Sequence, residues 1–173
     1  MSVKLNYSKK ISGKILSNLV LFCDEKYSIS RLSKYLSNTE FSYISELLKT
    51  IDLKKNLFVF EVSSKKKIVL ISVKKNLKTA DVENLGAEFY NFVKKNSFKD
   101  ISIITGSLKS KPGKDFIGRF IHGFKLKSYE FNIYKSKKTK NVITISLIGK
   151  QSNLSLKNKL KFKALEEGTF FTR

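Results

Sequence analysis

Side chains able to do chemistry are few in this chain and lie far apart. Among 173 residues there is one cysteine, Cys23, and one histidine, His122. Together they are too few for a zinc site of ordinary ligand count. Cys23 ends an apolar run with no histidine beside it, so it reads as a small core residue and not as a nucleophile. His122 has no carboxylate or second histidine in its own segment, which fits a surface or half-buried residue better than a general base. Glu166 and Glu167 are an adjacent pair of acids. On a helix these neighbours point about 100 degrees apart, a poor geometry for a shared metal or proton. The basic loop from Lys109 to Lys114 holds the single proline, Pro112, beside Gly113. A proline at a helix start, with Lys111, Gly113 and Lys114 around it, could turn backbone N–H groups toward an anion. The GxxxxGK[ST] spacing of a P-loop is absent, and an ordinary solvated loop is the simpler reading.

The formal charge of +21, from 35 Lys and Arg against 14 Asp and Glu, brings polyanions to mind. Only Arg31, Arg119 and Arg173 are arginines. Arginine is the residue suited to planar, bidentate recognition of phosphates and bases, so a lysine-only excess points away from base readout. Lysine-rich composition with only three alanines also resembles the output of an AT-rich genome. The lysine clusters fall at hairpin, helix-end and loop positions, which predicts charge spread over several faces. No apolar run approaches the roughly 20 residues of a membrane span, and the N-terminus lacks a signal-peptide core, so a cytoplasmic protein is expected.

The elements that must carry these residues are easier to read. Ile68–Val73 and Ile101–Thr105 are apolar on nearly every position, as strands covered on both faces are. Between them Val82, Leu85, Phe89, Phe92 and Val93 recur at helical spacing, with Thr79 as candidate N-cap, Asp81 and Glu83 in the first turn, and Lys94 and Lys95 in the last. A strand, crossover helix and strand of this length predict a parallel pair. Leu19–Cys23 reads as another buried strand. Leu57–Val62, joined to Ile68–Val73 by a short polar turn, reads as the antiparallel arm of a hairpin. Ser28 or Ser30 could cap a short helix carrying Ile29, Leu32 and Leu36. The stretch from Phe41 to Ile51 stands between a short helix and irregular structure, with its spacing favouring helix. Phe116, Ile117, Phe120, Ile121 and Phe124 predict an amphipathic helix, in which Gly118 and Gly123 would let it lie close to the sheet. Val142–Ile148 is a further strand. Leu156, Leu160, Ala164 and Leu165 mark a last helix running toward Arg173. The segment from Met1 to Ser17 has no clean period and fits a strand preceded by a loose arm. The expectation is one domain over 1–173, of three-layer α/β/α architecture with a mixed, mostly parallel sheet.

Two segments carry a family resemblance. From His122 to Lys138 the residues Leu126, Tyr129, Phe131, Tyr134, Lys135 and Lys137 occupy a Leu-x-x-Tyr-x-Phe-x-x-Tyr-Lys-x-Lys pattern. It is similar to the leucyl (cytosol) aminopeptidase family, at the point where a helix of the N-terminal domain ends. The run Ala164–Arg173, through Glu167, Gly168, Thr172 and Arg173, resembles the helix leading into that family's catalytic domain. Order and spacing extend the likeness from Lys14 to Arg173. The strand ending near Val73 has lysines in place of the family's usual glycine, and the segment from Phe41 to Leu57 matches poorly.

The resemblance implies a macro-domain-like fold and a non-catalytic N-terminal accessory domain of a metal-dependent aminopeptidase, with residues 155–173 leading toward a catalytic domain absent from this sequence. It also implies, for the parent enzyme, a hexamer, removal of N-terminal amino acids from peptides, and two divalent ions, zinc or manganese, held downstream. No cofactor and no metal are expected in this segment, and its partner would be the catalytic domain of the same polypeptide. Two other functions remain: a lysine-rich nucleic-acid-binding domain, not favoured given the composition, and a macro-domain-like nucleotide-binding module.

Overall fold

The computed structural model describes residues 2–9, 18–108, 115–129, 142–149 and 156–171. Six strands form one sheet: β1 (Ser2–Ser8), β2 (Asn18–Cys23), β3 (Leu57–Glu61), β4 (Lys67–Ser72), β5 (Asp100–Ile104) and β6 (Val142–Ile148), in the order β1-β6-β5-β2-β4-β3. All neighbours are parallel except the β3–β4 hairpin, where Leu57 faces Ile71 and Glu61 faces Lys67. The two strands expected as a parallel pair, β4 and β5, are parallel, and β2 lies between them. The N-terminal segment supplies β1, an edge strand whose Leu5 is paired with Ile145.

Alternation along the central strands divides the core in two. Val20, Phe22, Val69, Ile71, Ile103 and Ile145 point to the layer of α2 (Thr79–Lys95) and α3 (Phe116–Ser128). Leu19, Leu21, Ile68, Leu70 and Ile104 point to the opposite layer, made by a 3-10 turn (Ser30–Tyr35) and α1 (Asn38–Thr50) through Leu32 and Ile44. The result is a three-layer α/β/α arrangement with a mixed, mostly parallel sheet. Every residue from Leu19 to Phe22 and from Ile68 to Ile71 is fully buried, as unbroken apolar strands require when both faces are covered.

The ambiguous stretch after Phe41 is helical. Its start is fixed by Ser37, whose hydroxyl accepts from the Glu40 N–H while the Glu40 carboxylate accepts from the Ser37 N–H. Thr79 is not the N-cap of α2. It is the first helical residue, preceded by Lys78, whose backbone N–H donates to the Asp81 carboxylate at 3.1 Å. Gly123 brings α3 against α2 and not, as its spacing suggested, against the sheet. A Cβ on Gly123 would lie 1.9 Å from the Glu83 carbonyl oxygen, and one on Gly86 would lie 2.0 Å from that of Phe120. The two glycines thus allow backbone-to-backbone approach from both sides. The last helix, α4, runs Leu156–Phe171; among its described side chains Phe162 is buried, while Leu160 and Leu165 are 66% and 45% exposed. Leu160, Ala164 and Leu165 of the stripe read from the sequence lie on the outer face. The inner face is set by a charge contact made by Glu166, which hydrophobic spacing does not register.

Candidate functional site

Two ionisable groups, Tyr7 and Glu166, are perturbed together where α4 meets α3 and β1. The apolar stripe of α3, Phe116, Phe120 and Phe124, is turned to the core, and this leaves His122 and Lys125 facing α4. On α4, Phe162 and Glu166 are one turn apart and share the inner face. The His122 ring is 5.5 Å from that of Phe162. Glu166 lies between two bases: Lys125 Nζ is 3.0 Å from its Oε2, and His122 Nδ1 is 3.8 Å from its Oε1. The second distance is too long for a hydrogen bond. His122 Nδ1 is buried without a hydrogen-bond partner.

Burial works to raise the Glu166 carboxyl, but His122 and Lys125 outweigh it and hold the group below its ordinary range. Tyr7 of β1 is pushed up by burial and then by the negative charge of Glu166. The carboxylate is therefore kept ionised and engaged by neighbours. Such an arrangement orients a helix, whereas a general base must be free to take a proton from substrate.

The crevice at the sheet's switch point is different in kind. From β2 the chain goes to one side of the sheet and from β5 to the other, which is where α/β folds collect ligands. Here the space bounded by Cys23, Asp24, Ser28, Arg31 and Ser107 is about 60 Å³, far below the roughly 300 Å³ at which ligand pockets begin. Ser107 closes it: its Oγ accepts from the Phe22 N–H at 2.9 Å and donates to the Ile104 carbonyl at 2.7 Å. Tyr35 donates its hydroxyl to the Gly106 carbonyl across the top, at 3.2 Å. The Asp24 carboxylate is occupied by the N–H groups of Lys26 and Ser28. Burial, and then Asp24, pushes the Cys23 thiol well above its ordinary range, so the sulfur is an inert core group.

The residues singled out in the sequence are not brought together. Leu126 is half-buried on α3, and Tyr129 closes that helix, its N–H donating to the Lys125 carbonyl at 3.1 Å. Glu167 is exposed and faces Lys163 at 3.8 Å, while Gly168 is exposed and a Cβ there would meet nothing within 4 Å. Phe131, Tyr134, Lys135, Lys137, Thr172 and Arg173 lie outside the described residues, as does the loop with Lys111, Gly113 and Lys114. His122 is a correction: it is 5% exposed and does face a carboxylate, supplied by a helix much later in the chain. Its burial was not readable from its own segment. The usable signal was the i, i+3 pair of bases, His122 and Lys125, on one side of α3. Among the described residues no group of three or more His, Cys, Asp or Glu side chains could hold a metal ion. No helix among them is long and apolar enough to cross a membrane.

Residues 19–138 match the family model described as the cytosol aminopeptidase family, N-terminal domain. No curated protein sequence matches. Among solved structures, a mutant of tomato leucine aminopeptidase superposes with a TM-score of 0.61 at 14% identity, over 94% of this chain and 35% of that one. The chain thus spans about a third of the tomato protein. The macrodomain of DarG from Thermus aquaticus superposes with a TM-score of 0.54 at 8% identity, over 85% of this chain and 99% of that domain. At these identities both likenesses concern the fold.

Proposed function

We propose, because this chain belongs to the cytosol aminopeptidase family through that family's N-terminal domain, that it is a non-catalytic accessory domain acting with a metal-dependent aminopeptidase part. The observation that carries this reading is the two-faced α4: its inner face is fixed to the domain by Phe162 and Glu166, and its outer face presents Leu160 and Leu165 to solvent. A helix held in this way can orient whatever packs on its far side. The peptidase part would supply the two divalent ions that polarise the scissile carbonyl and activate water. The donor set here does not fit such a pair, with one histidine and no described acid cluster. Assembly into a cytoplasmic hexamer belongs to the same proposal and follows the family. A nucleotide-binding role is disfavoured by the filled switch-point crevice.

The test is to assay the purified chain with manganese or zinc against an amino-acid amide, beside the same domain joined to a catalytic part of the family. Turnover is expected only from the joined protein, and stoichiometric tight metal binding by the short chain is not expected. Metal-dependent hydrolysis by the short chain, lost on changing Glu166 or Glu167 to glutamine, would overturn the reading.

A further inference from the structure

The opposite end of the sheet carries a feature that the aminopeptidase reading does not use. At the N-terminal ends of β2, β4 and β5 lies an open groove of about 580 Å³, lined by residues that include Asn18, Lys65, Lys67, Phe98, Lys99 and Asp100. One wall is the β3–β4 hairpin turn. There Ser63 Oγ accepts from the N–H groups of Lys65 and Lys66, and Lys66 donates to the Glu40 carboxylate at 2.7 Å, which pins the turn to α1. The other wall is the α2–β5 turn, shaped by Ser97 in the left-handed region at φ 53°. The floor is Asn18, which reaches both neighbours: its amide donates to the Asp100 carbonyl and accepts from the Lys67 N–H, each at 3.2 Å. Phe98 is only 4% exposed and packs beneath. The groove is therefore built from hydrogen-bonded backbone on both sides.

Its charge is positive. Lys65 and Lys99 are exposed, one from each wall, with no carboxylate partner among the described residues. Lys67 shares its charge with Glu61. Asp100 is the one acid in the lining. Lysine ammonium groups are point charges suited to phosphate oxygens, and neither an arginine fork nor an exposed ring is present to read a base. We propose that this groove binds the phosphodiester backbone of a nucleic acid, without sequence preference. The chain's net charge of +21 favours the encounter, and the groove's fixed walls give the contact a place.

The experiment titrates a short mixed-sequence duplex against the full chain over a salt series. Neutralising two to three phosphates gives a slope of about −2 to −3 in log K against log salt, or about 10- to 40-fold weaker binding from 50 to 200 mM. Changing Lys65 and Lys99 together to glutamate should flatten the slope by about 2, with the same loss on a duplex of unrelated sequence. Asp100→Asn should tighten binding. The control reverses the same charge elsewhere, at Lys26 and Lys75, which lie beyond the C-terminal ends of β2 and β4. An equal loss in that control would overturn the proposal, because bulk charge alone would then explain binding. So would a salt-independent isotherm, or a chain that binds inorganic polyphosphate but not the duplex. None of these outcomes bears on peptidase activity, so this proposal and the accessory-domain reading can fail separately.

Discussion

The two sides of α3 are held by opposite means. Toward α2 the contact is apolar and close: Gly86 and Gly123 admit the neighbouring backbone, and Phe89 lies between Phe120 and Phe124 with ring centroids 5.6 Å from each. Arg119 and Glu83, 3.2 Å apart, add charge at its rim. Toward α4 a single phenylalanine and a carboxylate between two bases make the described junction. The first interface is stabilised by area and shape, which change little with pH. The second depends on a partly desolvated charge, which contributes less and is easily weakened, but fixes orientation. The helix proposed to face a peptidase part is thus the one held by the adjustable contact.

That contrast can be broken most severely at Phe89. The side chain is fully buried, and Phe89→Ala should destabilise the whole domain by about 3 to 5 kcal/mol, as transfer and cavity terms add. Chemical denaturation of the variant measures it. A loss under about 1 kcal/mol would mean that the α2–α3 face is not the rigid one.

Glu166→Gln should act more locally. Taking away the charge between Lys125 and His122 should loosen α4 by about 1 to 3 kcal/mol while leaving α2 intact. Amide hydrogen exchange resolves the two, since α4 should exchange faster at unchanged protection of α2. The pH dependence follows from the lowered Glu166 pKa. A carboxyl depressed on folding contributes stability that is fully present above its unfolded value and is lost as pH falls through the folded one. Protection of α4 in the native chain should therefore fall on acidification below the ordinary glutamate value, and the Gln variant should lack that step. Equal acid sensitivity in both chains would remove Glu166 from the account.

The same contrast explains what could be read from the sequence. Strands such as Ile68–Ser72 and the α2 stripe announce themselves because area burial leaves a period in the residue types. The hairpin was equally legible from its short polar turn. β1 was legible only as a strand behind a loose arm within Met1–Ser17, whereas it begins at Ser2, because an edge strand has fewer apolar positions to mark its bounds. α4 misleads for a related reason. Its inward position at Glu166 carries a charged residue, and its outward ones carry Leu160 and Leu165, so periodicity selected the solvent face. The bridging role of Ser107 left no pattern either, since one serine in a turn looks like any other until the Phe22 N–H is found 2.9 Å away. The family motif after Tyr129 falls largely outside the described residues, so those residues stand as sequence expectations.

The smallest effect should come from the outer face of α4, and it is the sharpest check on the comparison. Leu160 is 66% exposed and Leu165 45% exposed, so neither contributes much burial to this domain. Leu160→Gln should change the stability of the chain by no more than about 0.5 kcal/mol, as substitutions outside the packed interior do. The same change at an inward position of the same helix, Phe162, should be felt at once, because that ring is 6% exposed and packs on His122. If Leu160→Gln is silent in the short chain but weakens the domain when it is joined to a catalytic part, the outer face is a packing surface for that part. If it destabilises the short chain as much as the change at Phe162, the helix sits the other way round, and the inward carboxylate cannot be what holds it.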